Sequence, residues 1–109
     1  MNRVVALVTL LALSVPARDV QAQGVGDPGQ GLPVARQFCS ECHAIQIGQV
    51  RSPNSRSPTF VELANVPGMT ATALLVALTT PHVGMPMFIL TTEQRESVIA
   101  YILSLKERK

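Results

Sequence analysis

The chain has 109 residues, a formal charge of +2, 47% hydrophobic residues and only 4% aromatic ones. That is enough for one small domain, but so short a chain with so little aromatic bulk has trouble filling a core unaided. No basic stripe runs along it, which excludes a nucleic-acid partner.

Met1-Asn2-Arg3 is a short positive start, and residues 4–15 are apolar except for Thr9 and Ser14. Val20-Gln21-Ala22 supplies small residues at a suitable cleavage point. This layout predicts a secretory signal peptide over residues 1–22 and export to the periplasm. The competing reading is an uncleaved membrane anchor at residues 4–15. That run is shorter than the roughly 20 residues a span needs, and Pro16, Arg18 and Asp19 close it.

Residues 23–30, with three glycines and a proline, are expected to form a flexible lead-in. The domain then occupies residues 31–109. A helix is predicted from about Gly31 or Leu32 into Cys39, with Pro33 tolerated in its first turn and Leu32, Ala35 and Phe38 on its apolar side. It ends in Cys39-Ser40-Glu41-Cys42-His43. C-x-x-C-H is the attachment signal for a c-type haem: each thiol adds to one vinyl group, and the histidine that follows lies against the porphyrin face and binds the iron. Three other readings compete. A thioredoxin-like redox pair expects a βαβ context that is missing here. A zinc site is disfavoured because the chain has only these two cysteines, its one histidine besides His43, His82, is far away, and the acids lack a ligand pattern. A structural disulfide would close a very small loop.

Residues 44–57 are polar and read as loop. Ser57-Pro58 reads as an N-cap and first helical residue, opening a short helix with Phe60, Leu63 and Ala64 on one side. Asn65-Val66-Pro67-Gly68 ends it. Thr70 caps a third helix over residues 71–79, with Leu74, Leu75 and Leu78 at helical spacing and Pro81 as its stop. Residues 82–88 are irregular. Thr91 with Gln94 forms a capping box for a last helix carrying Val98, Ile99, Ile102 and Leu105 inward and Arg95, Glu96, Lys106 and Arg108 outward. Lys106-Glu107-Arg108-Lys109 suits the negative end of that helix. No alternating run predicts a strand, so the fold class is all-α, with short helices and long loops. After residue 22, seven cations face six acids, and two haem propionates would tip this balance slightly acidic.

Three features together resemble the class I monohaem cytochrome c family: Cys39-Ser40-Glu41-Cys42-His43 closing an N-terminal helix, Met85-Pro86-Met87-Phe88-Ile89-Leu90-Thr91, and Ala100-Tyr101-Ile102 in the last helix. The resemblance covers nearly all of the chain beyond the signal peptide. It implies one haem c attached through Cys39 and Cys42, with His43 and Met85 as axial iron ligands. It also implies that the Pro58 carbonyl accepts a hydrogen bond from His43. Gly31 would be the small contact residue between the terminal helices, facing Val98 and Tyr101. Ala35 stands where the family often has an aromatic residue, so that contact is expected to be looser. Met87 is the first substitute for Met85 and otherwise packs over the haem edge. Met69 and His82 are the remaining candidates, and His82 is expected to cap the preceding helix or meet solvent. Arg51 and Arg56 lie in a loop that could reach the propionates.

The function implied is one-electron transfer by a monomer between redox partners such as a periplasmic dehydrogenase and a membrane oxidase or reductase. Two rival readings are a haem subunit held permanently by a dehydrogenase and a ligand-binding or peroxidase-like protein with a labile distal ligand. The first predicts a stable complex, and the second predicts carbon monoxide binding.

Overall fold

The computed structural model describes residues 26–107. The expected signal peptide and the last two residues lie outside this range. Four helices follow in order: α1 (Pro28–Phe38), α2 (Phe60–Asn65), α3 (Ala71–Thr79) and α4 (Thr92–Ser104). Among the described residues the only β-type pairing is an isolated bridge between His82 and Met85. The architecture is all-α, as the periodicity implied.

Each helix starts where a side chain can satisfy the orphan amides of the first turn. Asp27 Oδ1 accepts from Gly29 N–H at 2.8 Å, and Pro28 fills the first helical position. The helix thus begins before Gly31, and Pro33 lies inside it, not in its first turn; Pro33 removes one intrahelical bond but faces solvent. The second helix also corrects the sequence reading. Thr59, not Ser57, is its cap: Thr59 Oγ1 accepts from Glu62 N–H at 3.0 Å while Glu62 Oε2 accepts from Thr59 N–H at 2.7 Å. Pro58 therefore precedes the helix and does not start it. In α3 and α4, Thr70 and Thr91 cap as expected, Thr91 in a reciprocal box with Gln94. α4 ends before the terminal basic run, with Leu105 as its C-cap.

α1 and α4 make the largest helix–helix contact, and α2 and α3 both pack on α4. Gly31 allows the close approach. A Cβ on Gly31 would fall on the Ser97 carbonyl oxygen and on Tyr101 Cβ, and would lie 2.8 Å from the Ser97 carbonyl carbon. Val98 is fully buried, and Ala35 is equally closed to solvent. The buried cluster runs from Cys39 and Ile45 through Phe60 and Leu74 to Ile99, Ile102 and Leu105. Arg95 and Glu96 do not simply take water. Both are half-buried, and the Arg95 Nε is buried without a hydrogen-bond partner.

Candidate haem site

The site begins where α1 stops. Cys39 is the C-cap, and its carbonyl accepts from both Cys42 N–H at 3.1 Å and His43 N–H at 2.9 Å. This helical turn sets Cys39, Cys42 and His43 at i, i+3 and i+4, the spacing that brings side chains to one side. Both cysteines carry free thiols; Cys39 is buried and Cys42 half-buried. Burial, with the neighbouring Cys42 adding in the same direction, pushes the Cys39 thiol up to about 11. A thiol there is a poor anion, whereas a thioether has no proton to lose and tolerates the apolar surroundings.

His43 Nδ1 lies 2.6 Å from the Pro58 carbonyl oxygen. A carbonyl only accepts, so Nδ1 carries the hydrogen, and in the neutral ring the lone pair sits on Nε2. The ring also rests against Phe60, with centroids 5.6 Å apart. The loop after His43 is tied back at several points. Ala44 N–H donates to Ser52 Oγ at 3.0 Å, and the amides of Ile45 and Gln46 both donate to Gln49 Oε1 at 2.9 Å. Phe60 N–H donates to the Ala44 carbonyl at 2.9 Å. Tyr101 Oη donates to the Ile45 carbonyl at 2.6 Å, pinning the loop to α4. Burial raises the Tyr101 phenol pKa above its ordinary value, with Arg36 pulling weakly the other way. Sequence reasoning missed Gln49 and Ser52. In a loop rich in Ser and Gln, nothing local marks the two that accept from the backbone after His43.

A narrow cleft opens beside Cys39. Phe38, Leu78, His82, Met85, Met87 and Phe88 are among its walls. Cys42 and His43 do not line it; they sit at the Pro58 side of the cluster. Phe38 and Phe88 meet at 5.9 Å between ring centroids, joining the end of α1 to the segment after α3. Met85 and Met87 both border the cleft, and Met69 packs against the core cluster. His82 is exposed and lies at the end of α3, its Nδ1 3.2 Å from the carbonyl oxygen of the C-cap Thr80, and it also borders the same cleft. Arg51 and Arg56 are exposed.

These residues fit a c-type haem. Two thiols stand one helical turn apart, next to an imidazole whose Nδ1 is already engaged, and thioethers border an apolar cleft. Met87 and Phe88 expose 49% and 39% of their surface around it, apolar area that a flat macrocycle would cover. Fold and site together describe a small all-α protein with the residues to hold haem c.

The cytochrome c family model matches residues 27–106, and the chain belongs to that family. The chain is 32% identical over 80 residues to cytochrome c-552 of Bradyrhizobium diazoefficiens, an alignment covering 73% of this chain and 76% of that relative. No solved structure matched the chain. The family binds haem c covalently, and Cys39 and Cys42 are the two cysteines of its C-x-x-C-H motif.

Proposed function

We propose that the protein is an exported, monomeric one-electron carrier of the periplasm, with His43 and Met85 as the axial ligands of its haem. When bound, the haem supplies a one-electron couple between ferric and ferrous iron. The chain's own residues set how that couple behaves. The Pro58 carbonyl holds the His43 ring at one angle and in one tautomer, and the bond to Nδ1 raises the basicity of Nε2. This 2.6 Å bond is the observation that carries the proposal, because it prepares His43 for a metal and has no other evident use. Met85, beside the cleft, offers a soft thioether that favours the reduced form. Two protein ligands leave no position for a substrate, so the reaction involves electrons alone. The apolar walls disfavour the additional charge of the oxidised form, again raising the potential.

Export is supported by the layout of residues 1–22, and no helix among the described residues is long and apolar enough to cross a membrane. The partners are redox proteins such as a periplasmic dehydrogenase and a membrane oxidase or reductase. They dock at the haem edge through a small, weak contact that allows fast release. Residues 63–92, which include α3 and most of the cleft wall, carry no Asp, Glu, Lys or Arg. A contact on that side rests on apolar packing and responds little to salt.

A potentiometric titration of the haem-loaded protein tests the reading. It should follow a single one-electron curve at positive potential. A strongly negative midpoint would contradict axial Met85.

A further inference from the structure

The peptide group between Pro58 and Thr59 is engaged on both sides. Its carbonyl accepts from His43 Nδ1 at 2.6 Å, and its N–H donates to Glu62 Oε2 at 2.7 Å. Carbonyl and N–H belong to one planar, conjugated unit, and the bond is trans, so they point in opposite directions. A carboxylate thus lies at one end of the unit and the imidazole at the other.

Both ends are fastened. Phe60 N–H donates to the Ala44 carbonyl at 2.9 Å, which ties the Pro58–Phe60 segment to the residue after His43. The Phe60 ring lies against the imidazole, with centroids 5.6 Å apart. On the other side, Thr59 Oγ1 accepts from Glu62 N–H and the Thr59 carbonyl accepts from Leu63 N–H, each at 3.0 Å. The first turn of α2 therefore sets where the Glu62 carboxylate lies. Thr59 is buried, so water competes little for its amide. Glu62 is exposed, and solvent screens its charge over longer distances. The direct hydrogen bond is its route to the histidine.

A hydrogen bond to a carboxylate is charge-assisted and roughly twice as strong as a neutral one. It polarises the amide and shifts electron density onto the carbonyl oxygen. Hydrogen bonds linked in this way strengthen one another by about 10–30% per bond. The Pro58 oxygen becomes a better acceptor, and Nε2 of His43 becomes a stronger donor to a metal.

On the reading that His43 is an axial ligand of the haem, we propose that Glu62 is a positioning residue that acts on the iron through the Pro58–Thr59 peptide. The carboxylate, the peptide and the imidazole form a relay in which no bond is made or broken. A more basic imidazole favours the oxidised iron. Glu62 therefore lowers the midpoint potential below the value that Met85 and the apolar walls would set alone.

The test compares haem-loaded wild type, Glu62→Gln and Glu62→Ala by redox titration, denaturant titration and proton NMR of the reduced, diamagnetic protein. Capping boxes take Glu or Gln alike, so glutamine keeps the cap and removes only the charge. Glu62→Gln should keep the wild-type stability, raise the midpoint potential, and move the Thr59 amide and His43 Nδ1 protons upfield together. Glu62→Ala should raise the potential too and also lose stability. A raised potential with the His43 proton unmoved would mean a through-space charge effect and overturn the relay. A potential shift in Glu62→Ala alone would mean that Glu62 merely caps α2, and would overturn it equally. If the wild-type His43 ring protons lack the large upfield shift that an iron-bound imidazole takes from the haem ring current, the ligand reading fails instead of the relay.

Discussion

Gly31→Ala is the sharpest perturbation of the helix pair that carries the haem-binding turn. The added methyl group would occupy space held by the Ser97 carbonyl and by Tyr101 Cβ. Neither can rotate away, because one is backbone and the other is the root of a side chain. α1 must therefore shift from α4, and Cys39 at the end of α1 shifts with it. Overpacking of this kind costs about 1–3 kcal/mol, and contacts with backbone belong at or above the top of that range. Alanine recovers up to about 1 kcal/mol in helix propensity. The net loss is roughly 2 kcal/mol, which in a domain of this size lowers Tm by about 8–16 °C. Thermal unfolding of the haem-loaded protein, followed by circular dichroism in both the helical and the haem bands, measures it. A neutral or stabilised Gly31→Ala protein would refute the close approach of α1 and α4.

Other expectations follow from single contacts. Tyr101 is the only tyrosine of the chain, so phenolate absorbance reports it alone. Its midpoint should lie above that of the unfolded chain. Stability tied to its protonated form is present below the unfolded pKa and is lost as the pH rises through the folded one; a midpoint at or below the unfolded value would contradict its burial. Tyr101→Phe leaves the carbonyl of buried Ile45 without this donor and should lower stability by about 1–3 kcal/mol in denaturant titration. Thr59→Ala removes the half of the α2 cap in which Oγ1 accepts from Glu62 N–H and keeps the backbone N–H that donates to Glu62. It should cost about 0.5–2 kcal/mol and move the haem midpoint potential, because Thr59 directly follows the carbonyl that holds His43. Cys39→Ala or Cys42→Ala alone should leave one thioether and still show haem on a denaturing gel, whereas the double variant should show none.

Where an element announced itself through its own ends, it was legible in the sequence. Thr70 and Pro81 bracket α3, and Thr91 with Gln94 opens α4, because caps and breakers act over three or four residues. The errors arose where two local signals compete. The glycines of residues 23–30 hid the Asp27-Pro28 start of α1. Ser57-Pro58 looked like a cap, although Thr59 and Glu62 made the stronger reciprocal pair three residues apart. The covalent attachment residues were legible because their chemistry requires a fixed spacing. The contacts that brace them were not. Tyr101 with Ile45 joins residues distant in the chain, and His82 meets Met85 only once a turn folds them together, whereas the approach of Gly31 to the last helix came from the family resemblance alone.

The central claim is that this chain encloses an iron held by His43 and Met85 and passes single electrons through it. The most direct measurement is the optical spectrum of the exported protein, oxidised and reduced, with carbon monoxide added to the reduced form. The account predicts a sharp c-type reduced spectrum, a weak iron–sulfur charge-transfer band when oxidised, and no response to carbon monoxide. A carbon monoxide shift in the wild-type protein would contradict the closed site, and absence of haem from a cell able to attach it would contradict the whole account.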